Sequence, residues 1–271
     1  MHQNSPEITK PETDRLDGKA RAVIDAYLAL PIGPRPSCPY FNNKRRKVRS
    51  QLRVLKGKGS PWEIAEEAEI DAKHARVNIA TLSTDKLKEF LISRDLGVDC
   101  SGFAYHVLDA LAREKRGRGI RAFVRSNREG FIGSLIAKLR PAENMGVATF
   151  ANERNSTAID ASAARPGDIV TFIGTGKDGL YNHILVVTGV ERSESGTRLS
   201  YAHSYAWPSD GATDHGAREG DILIRSGETI EASARGAGAW KEKGVTGSEN
   251  YTFESARTAK EVSVRRLRFL A

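Results

Sequence analysis

GVDCSGFAYHVLDAL, residues 97–111, is the stretch on which the fold turns, and it holds Cys100, one of only two cysteines in 271 residues. Counting from Cys100, the apolar side chains fall at Phe103, Ala104, Val107, Leu108, Leu111 and Ala112, the spacing of one helix face. Tyr105, His106, Asp109 and Arg113 fall off that stripe, and His106 and Asp109 read as solvent-facing. Gly117 and Gly119 end the helix, and Asp99 stands where an N-cap belongs. Cys100 is thereby placed in the first turn, on the buried side. There the unpaired amides and the dipole favour a thiolate, and the Cys100 N–H is a donor for an oxyanion.

Downstream the period changes. After Pro166-Gly167-Asp168 the segments 169–173, 183–190, 198–204, 221–224 and 262–270 are rich in β-formers, and Asp168 reads as a structural turn residue. The glycine-rich segment 232–244 reads as a mobile loop. Upstream, apolar spacing predicts a helix over 14–30 that stops before Pro31, and 31–43 carries four prolines and reads as an irregular loop. Ser60-Pro61-Trp62-Glu63 is a capping box with proline at the first helical position. Further helices are expected over 84–95 and near 127–139. Residues 1–12 read as a disordered leader, and 13–271 as one domain with a basic, helical insertion over about 44–96. Helices first and strands second argue an α+β fold: a cysteine-bearing helix packed on a mostly antiparallel sheet of five to six strands.

Hydrophobic residues make up 39% of the chain, enough for a core at this length without disulfide or metal staples. No run of 18 apolar residues is present, so no transmembrane segment is expected. The polar N-terminus reads as lacking a signal peptide, which as written suggests the cytoplasm or export by another route. Two cysteines give no disulfide framework and point to a reducing compartment. The net charge of +8 favours polyanionic partners: nucleic acid, anionic lipid headgroups or cell-wall polymers. Residues 44–58 carry eight Lys and Arg and no acid. That run is either a solvated face or a salt-sensitive dock for an anionic polymer. It contains no base-reading motif. The chain is expected to be a monomer.

A nucleophilic cysteine needs a base and a group to orient it. Among six histidines, His183 and His203 stand out because both lie on expected strands. A hairpin of 183–190 with 196–203, looped by 191–195, sets His183 directly opposite His203, with Leu185, Val187, Leu199 and Tyr201 on the same face. A helix packed on that face brings Cys100 to the imidazoles. Residue spacing alone leaves other readings open. Cys100 is also read as a core thiol, and the two histidines as half of a zinc site completed by Cys100 or His215. Tyr205 and Trp207 either line a substrate groove or cover the sheet edge.

These segments together resemble the NlpC-type cysteine peptidases, a papain-like family. Asp99-Cys100-Ser101-Gly102-Phe103 resembles its Asp-Cys-Ser-Gly signature, and 165–170 (RPGDIV) its turn into the first core strand. Asn182-His183-Ile184-Leu185 resembles the catalytic-histidine strand, and Tyr201-Ala202-His203 the strand whose polar residue orients that histidine. The four occur in family order across about residues 97–204. The resemblance implies Cys100 as nucleophile, His183 as base, His203 as orienting residue, no metal and no cofactor. It implies hydrolysis of an amide bond in cell-wall peptides, next to D-glutamate, through a thioester. It also implies a tyrosine near the oxyanion site, for which Tyr40, 60 residues before Cys100, is the match, with Asp99 and Ser101 flanking the substrate. Two alternatives are a papain-like acyltransferase or deamidase acting on a non-wall substrate, and a non-catalytic polyanion-binding module.

Overall fold

The computed structural model of the chain describes residues 12–42, 53–126, 140–211, 215–236 and 238–271. The expected leader up to residue 11, the basic residues 44–52 and the helix expected near 127–139 lie outside the described residues. The architecture is α+β. Eight strands, β1 Glu12–Arg15, β2 Ser156–Ala158, β3 Ile169–Thr175, β4 Tyr181–Ser193, β5 Gly196–Tyr205, β6 Gly216–Arg225, β7 Trp240–Glu242 and β8 Glu261–Leu267, form one sheet. Its order is β2-β8-β3-β4-β5-β6-β7, with β1 beside the far half of β4, and each pairing is antiparallel.

The sheet exceeds the five to six strands expected because β1, β2 and β7 are only four, three and three residues long. So short a segment shows no alternation and owes its conformation to the edge it pairs with. Glu12–Arg15 thus becomes strand where a leader and helix start were expected, and α1 covers only Gly18–Leu28. The segment read as a mobile loop contains a turn of helix at Ile230–Ser233 and the strand β7.

The remaining helices follow the sequence closely. α2, Pro61–Ala75, opens on the expected capping box: Ser60 Oγ accepts from Glu63 N–H at 3.3 Å and Glu63 accepts from Ser60 N–H at 2.8 Å. α3 spans Thr84–Ser93 and α4 spans Cys100–Arg116. α4 packs with α1 on one face of the sheet, its Phe103, Ala104 and Val107 sharing a core with Ile184, Val186 and Ala202. On the other face Phe172, Leu185, Val187 and Tyr201 form a second core with Trp240 and with Phe253 of α5, Tyr251–Arg257. A sheet covered on both sides explains why β3 is buried almost throughout rather than alternating. Asp168 is the turn residue it was expected to be: buried, it accepts from Arg165 N–H and takes both arms of Arg266 at 2.9 and 2.7 Å. No helix of the described residues is long and apolar enough to cross a membrane.

Two expectations about α4 are corrected. Tyr105 is buried, and His106 Nε2 bonds the Lys58 carbonyl at 2.9 Å, because the segment leading into α2 lies over that side of the helix. Asp109 is also engaged, accepting from Ile120 N–H at 2.8 Å and pairing with Arg113 at 2.7 Å.

Candidate active site

The β4–β5 hairpin differs from the expected one. Its turn is the dipeptide Glu194-Ser195, with Ser193 across from Gly196, and a bulge falls between Val187 and Gly189. Continued from Val186 across Ala202, the register puts His183 across from Tyr205, and the two rings stack with centroids 3.9 Å apart. His203 is therefore a diagonal neighbour of His183, still within reach of a long side chain. The parity expected for Leu185, Val187 and Tyr201 holds, but α4 packs on the opposite face, against Ile184, Val186 and Ala202.

What brings the cysteine to β4, beside the residue that follows His183, is a fork in the sheet. The β4–β5 ladder stops at Val186–Ala202, although both strands continue, β4 paired to β3 and β5 to β6. The start of α4 fits into that fork. Ser204 Oγ on β5 donates to the Val98 carbonyl at 2.8 Å, and the Cys100 sulfur accepts from the N–H of Ile184 on β4, the residue after His183.

Across the fork runs a chain of polar groups: His183 Nε2 to His203 Nδ1 at 2.6 Å, then His203 Nε2 to Glu242 Oε2 at 3.1 Å. Glu242 also accepts from Tyr201 O–H at 2.6 Å, and Arg218 lies 3.6 Å from its other oxygen. Burial on its own would raise the Glu242 carboxyl, but His203, Tyr201 and Arg218 outweigh it and hold it below the usual value. An ionised carboxylate only accepts, so His203 donates from Nε2 and its Nδ1 is the nitrogen left to accept. His183 then donates from Nε2 and keeps its lone pair on Nδ1, the ring nitrogen nearer the main chain. Burial, reinforced by His203 and Arg218, lowers His183 well below its ordinary value, so it is neutral at pH 7. Burial also dominates at the thiol. With the Asp99 carboxylate adding to it, the Cys100 pKa is pushed up to about 12, against the pull of Lys58 and two backbone amides. The helix terminus was expected to lower it. Desolvation wins because the sulfur is enclosed by the fork.

Asp99 caps α4 as expected, its Oδ1 accepting from Gly102 N–H at 2.7 Å. It is 4% exposed and Ser101 6%, and Lys58 Nζ bonds both, at 2.7 and 2.6 Å. These two residues hold the helix start rather than line an open surface. Gly102 of the motif is required by that contact: a Cβ there lies 2.5 Å from the Gly57 carbonyl oxygen. Tyr40 arrives despite its distance in the chain. It bridges Val98 as a short parallel pair, and its ring lies 6.4 Å from that of Tyr205. His215 accepts from Tyr40 N–H at 3.1 Å instead of joining the histidine pair. Among the described residues no group of three or more His, Cys, Asp or Glu side chains is placed to hold a metal ion. Trp207 is buried, with Nε1 donating to Thr252 at 3.0 Å.

Sequence reading missed Lys58 and Glu242. Lys58 closes a run of cations, and its burial has no sequence signal except the glycines on either side. Glu242 has one, since Trp240 and Glu242 at strand spacing share a face. Of the basic run, Arg53 pairs with Glu63 at 2.7 Å, Lys56 with Glu143 at 2.7 Å and Lys58 with Asp99, so its described part is turned to internal partners. Compared with family models, curated proteins and solved structures, the chain matches none.

Proposed function

We propose that this chain is a cysteine hydrolase with a papain-like site that cleaves an amide bond in a cell-wall peptide. The observation that carries the reading is the fork. A sulfur at a helix start lies against the backbone beside an imidazole, and that imidazole has its tautomer fixed by His203 and Glu242. Cys100 gives its proton to His183 Nδ1 as its sulfur attacks the carbonyl carbon. The oxyanion is met by the Cys100 N–H, with Tyr40 beside it. The imidazolium then protonates the leaving amine, and a thioester remains. Water, losing a proton to His183, cleaves the thioester and releases the acid. His203 and Glu242 hold the ring and offset its charge while it is protonated. The wall peptide as substrate follows from the resemblance of residues 97–204 to NlpC-type peptidases, which act next to D-glutamate.

A panel of purified muropeptides, read by mass spectrometry, tests this with wild type, Cys100→Ala and His183→Ala. Wild type is expected to release fragments cut at one type of amide bond, and both variants none. Cleavage that survives in Cys100→Ala overturns the mechanism. No cleavage of any muropeptide removes the wall substrate, and transfer of the acyl group to an added amine rather than water assigns an acyltransferase.

A further inference from the structure

The basic run was read as a surface, yet its last residue is internal. Lys58 is 6% exposed and its ammonium bonds Asp99 Oδ1 at 2.7 Å and Ser101 Oγ at 2.6 Å, both in the first turn of α4. The segment carrying it is fixed at several points. Lys58 bridges Val98, Gly57 accepts from Asp99 N–H at 2.9 Å, Gly59 accepts from Tyr27 O–H at 2.7 Å, and His106 holds the Lys58 carbonyl. The ammonium therefore has one position rather than many.

That position answers a problem in the motif. Asp99 is needed to cap the helix, but a buried carboxylate next to Cys100 opposes formation of the thiolate. Among the described residues, the charged groups that act on the sulfur are Asp99, before it in the chain, and Lys58 on the overlying segment, while His183 is the residue before Ile184, whose amide reaches the sulfur. Lys58, with its ammonium 2.7 Å from Asp99 Oδ1, is placed to offset that charge.

We propose that Lys58 is a positioning residue of the cysteine chemistry: it offsets the charge of Asp99, so an acid can cap the helix at less cost to the nucleophile. The inference rests on Cys100 being the reacting sulfur, and it deepens that reading by tying the segment before α2 to the nucleophile.

The test reads the sulfur itself, so a negative muropeptide screen leaves it untouched. Iodoacetamide alkylation of Cys100 is followed by intact mass at pH 8, all variants carrying Cys38→Ala. Lys58→Met, which leaves Asp99 uncompensated, is expected to slow alkylation by about tenfold or more, one pKa unit being a factor of ten in thiolate. Asp99→Asn, whose amide oxygen keeps the cap, is expected to speed it. The double variant Lys58→Met/Asp99→Asn is expected to return within about threefold of the parent. A merely structural lysine predicts no such rescue. If Lys58→Met alone does not fold, the other two variants decide. A double variant as slow as Lys58→Met, or ten times slower than Asp99→Asn and the parent, overturns the proposal. Equal rates in every variant overturn it too.

Discussion

Replacing Glu242 by Gln changes one atom at the far end of the polar chain and tests whether that chain sets the state of His183. The carboxylate takes Tyr201 O–H and His203 Nε2 on one oxygen, and its other oxygen faces Arg218 at 3.6 Å. A glutamine fits this site badly in either orientation. With its oxygen toward Tyr201 and His203, its NH2 group faces the guanidinium, donor against donor. Flipped, the NH2 faces His203 Nε2, which must then accept. His203 in turn donates from Nδ1, and His183 is driven to the tautomer whose lone pair lies on Nε2, away from the main chain and the sulfur. Losing one buried hydrogen bond to a charged partner costs roughly 1.5–3 kcal/mol. At 1.36 kcal/mol per factor of ten, that is roughly a ten- to hundredfold loss in any rate needing His183 as base. The assay is amide hydrolysis on whichever muropeptide the wild type cleaves, or, without substrate, the pH dependence of Cys100 alkylation. Circular dichroism and the thermal midpoint verify that the variant is folded. A folded Glu242→Gln protein with hydrolysis within about twofold of wild type would refute the tautomer argument, however good the geometry.

Other expectations follow from the same site. The Cys100 thiol, at about 12, leaves roughly one sulfur in 10⁵ ionised at pH 7, so iodoacetamide alkylation should climb about tenfold per pH unit between 7 and 10; a plateau below pH 8 contradicts dominance by burial. His183 is lowered well below its ordinary 6.5, and His106 is lowered by burial in the same direction. The unfolded chain therefore binds protons that the folded one refuses as pH falls below about 6.5. Stability is present above that pH and lost beneath it, so the thermal midpoint should drop from pH 7.5 to 5, and less steeply in His183→Gln. Gly102→Ala forces a Cβ to 2.5 Å from the Gly57 carbonyl and should cost about 1–3 kcal/mol, measured by urea unfolding, while slowing Cys100 alkylation as Lys58 is displaced. Ser60→Ala removes one arm of the capping box and should cost about 1 kcal/mol with alkylation unchanged.

Much of the molecule is legible in local sequence because the forces are local. The face of α4, its Asp99 cap, the capping box at Ser60 and the strands β3 to β6 each announce themselves by period or by a cap within a few residues. The place of Cys100 at a helix start and the contact of His183 with His203 were legible for the same reason, each residue standing near the edge of a regular element. The register of β4 on β5 was not, since a bulge at Thr188 leaves no mark in composition and moves His183 across from Tyr205. Three short strands were also invisible, because edge pairing, not propensity, holds them.

The sequence by itself determined which residue types the site has to work with and which elements carry them. Only the tertiary structure decided their state. The fork between β4 and β5 puts the sulfur against Ile184, burial keeps thiol and imidazole neutral, and Lys58 and Glu242 supply the charges that Asp99 and His203 require. Those are long-range facts. Electrostatics in a dry interior depends on what is packed within a few ångströms, and chain order does not encode which distant residue that is.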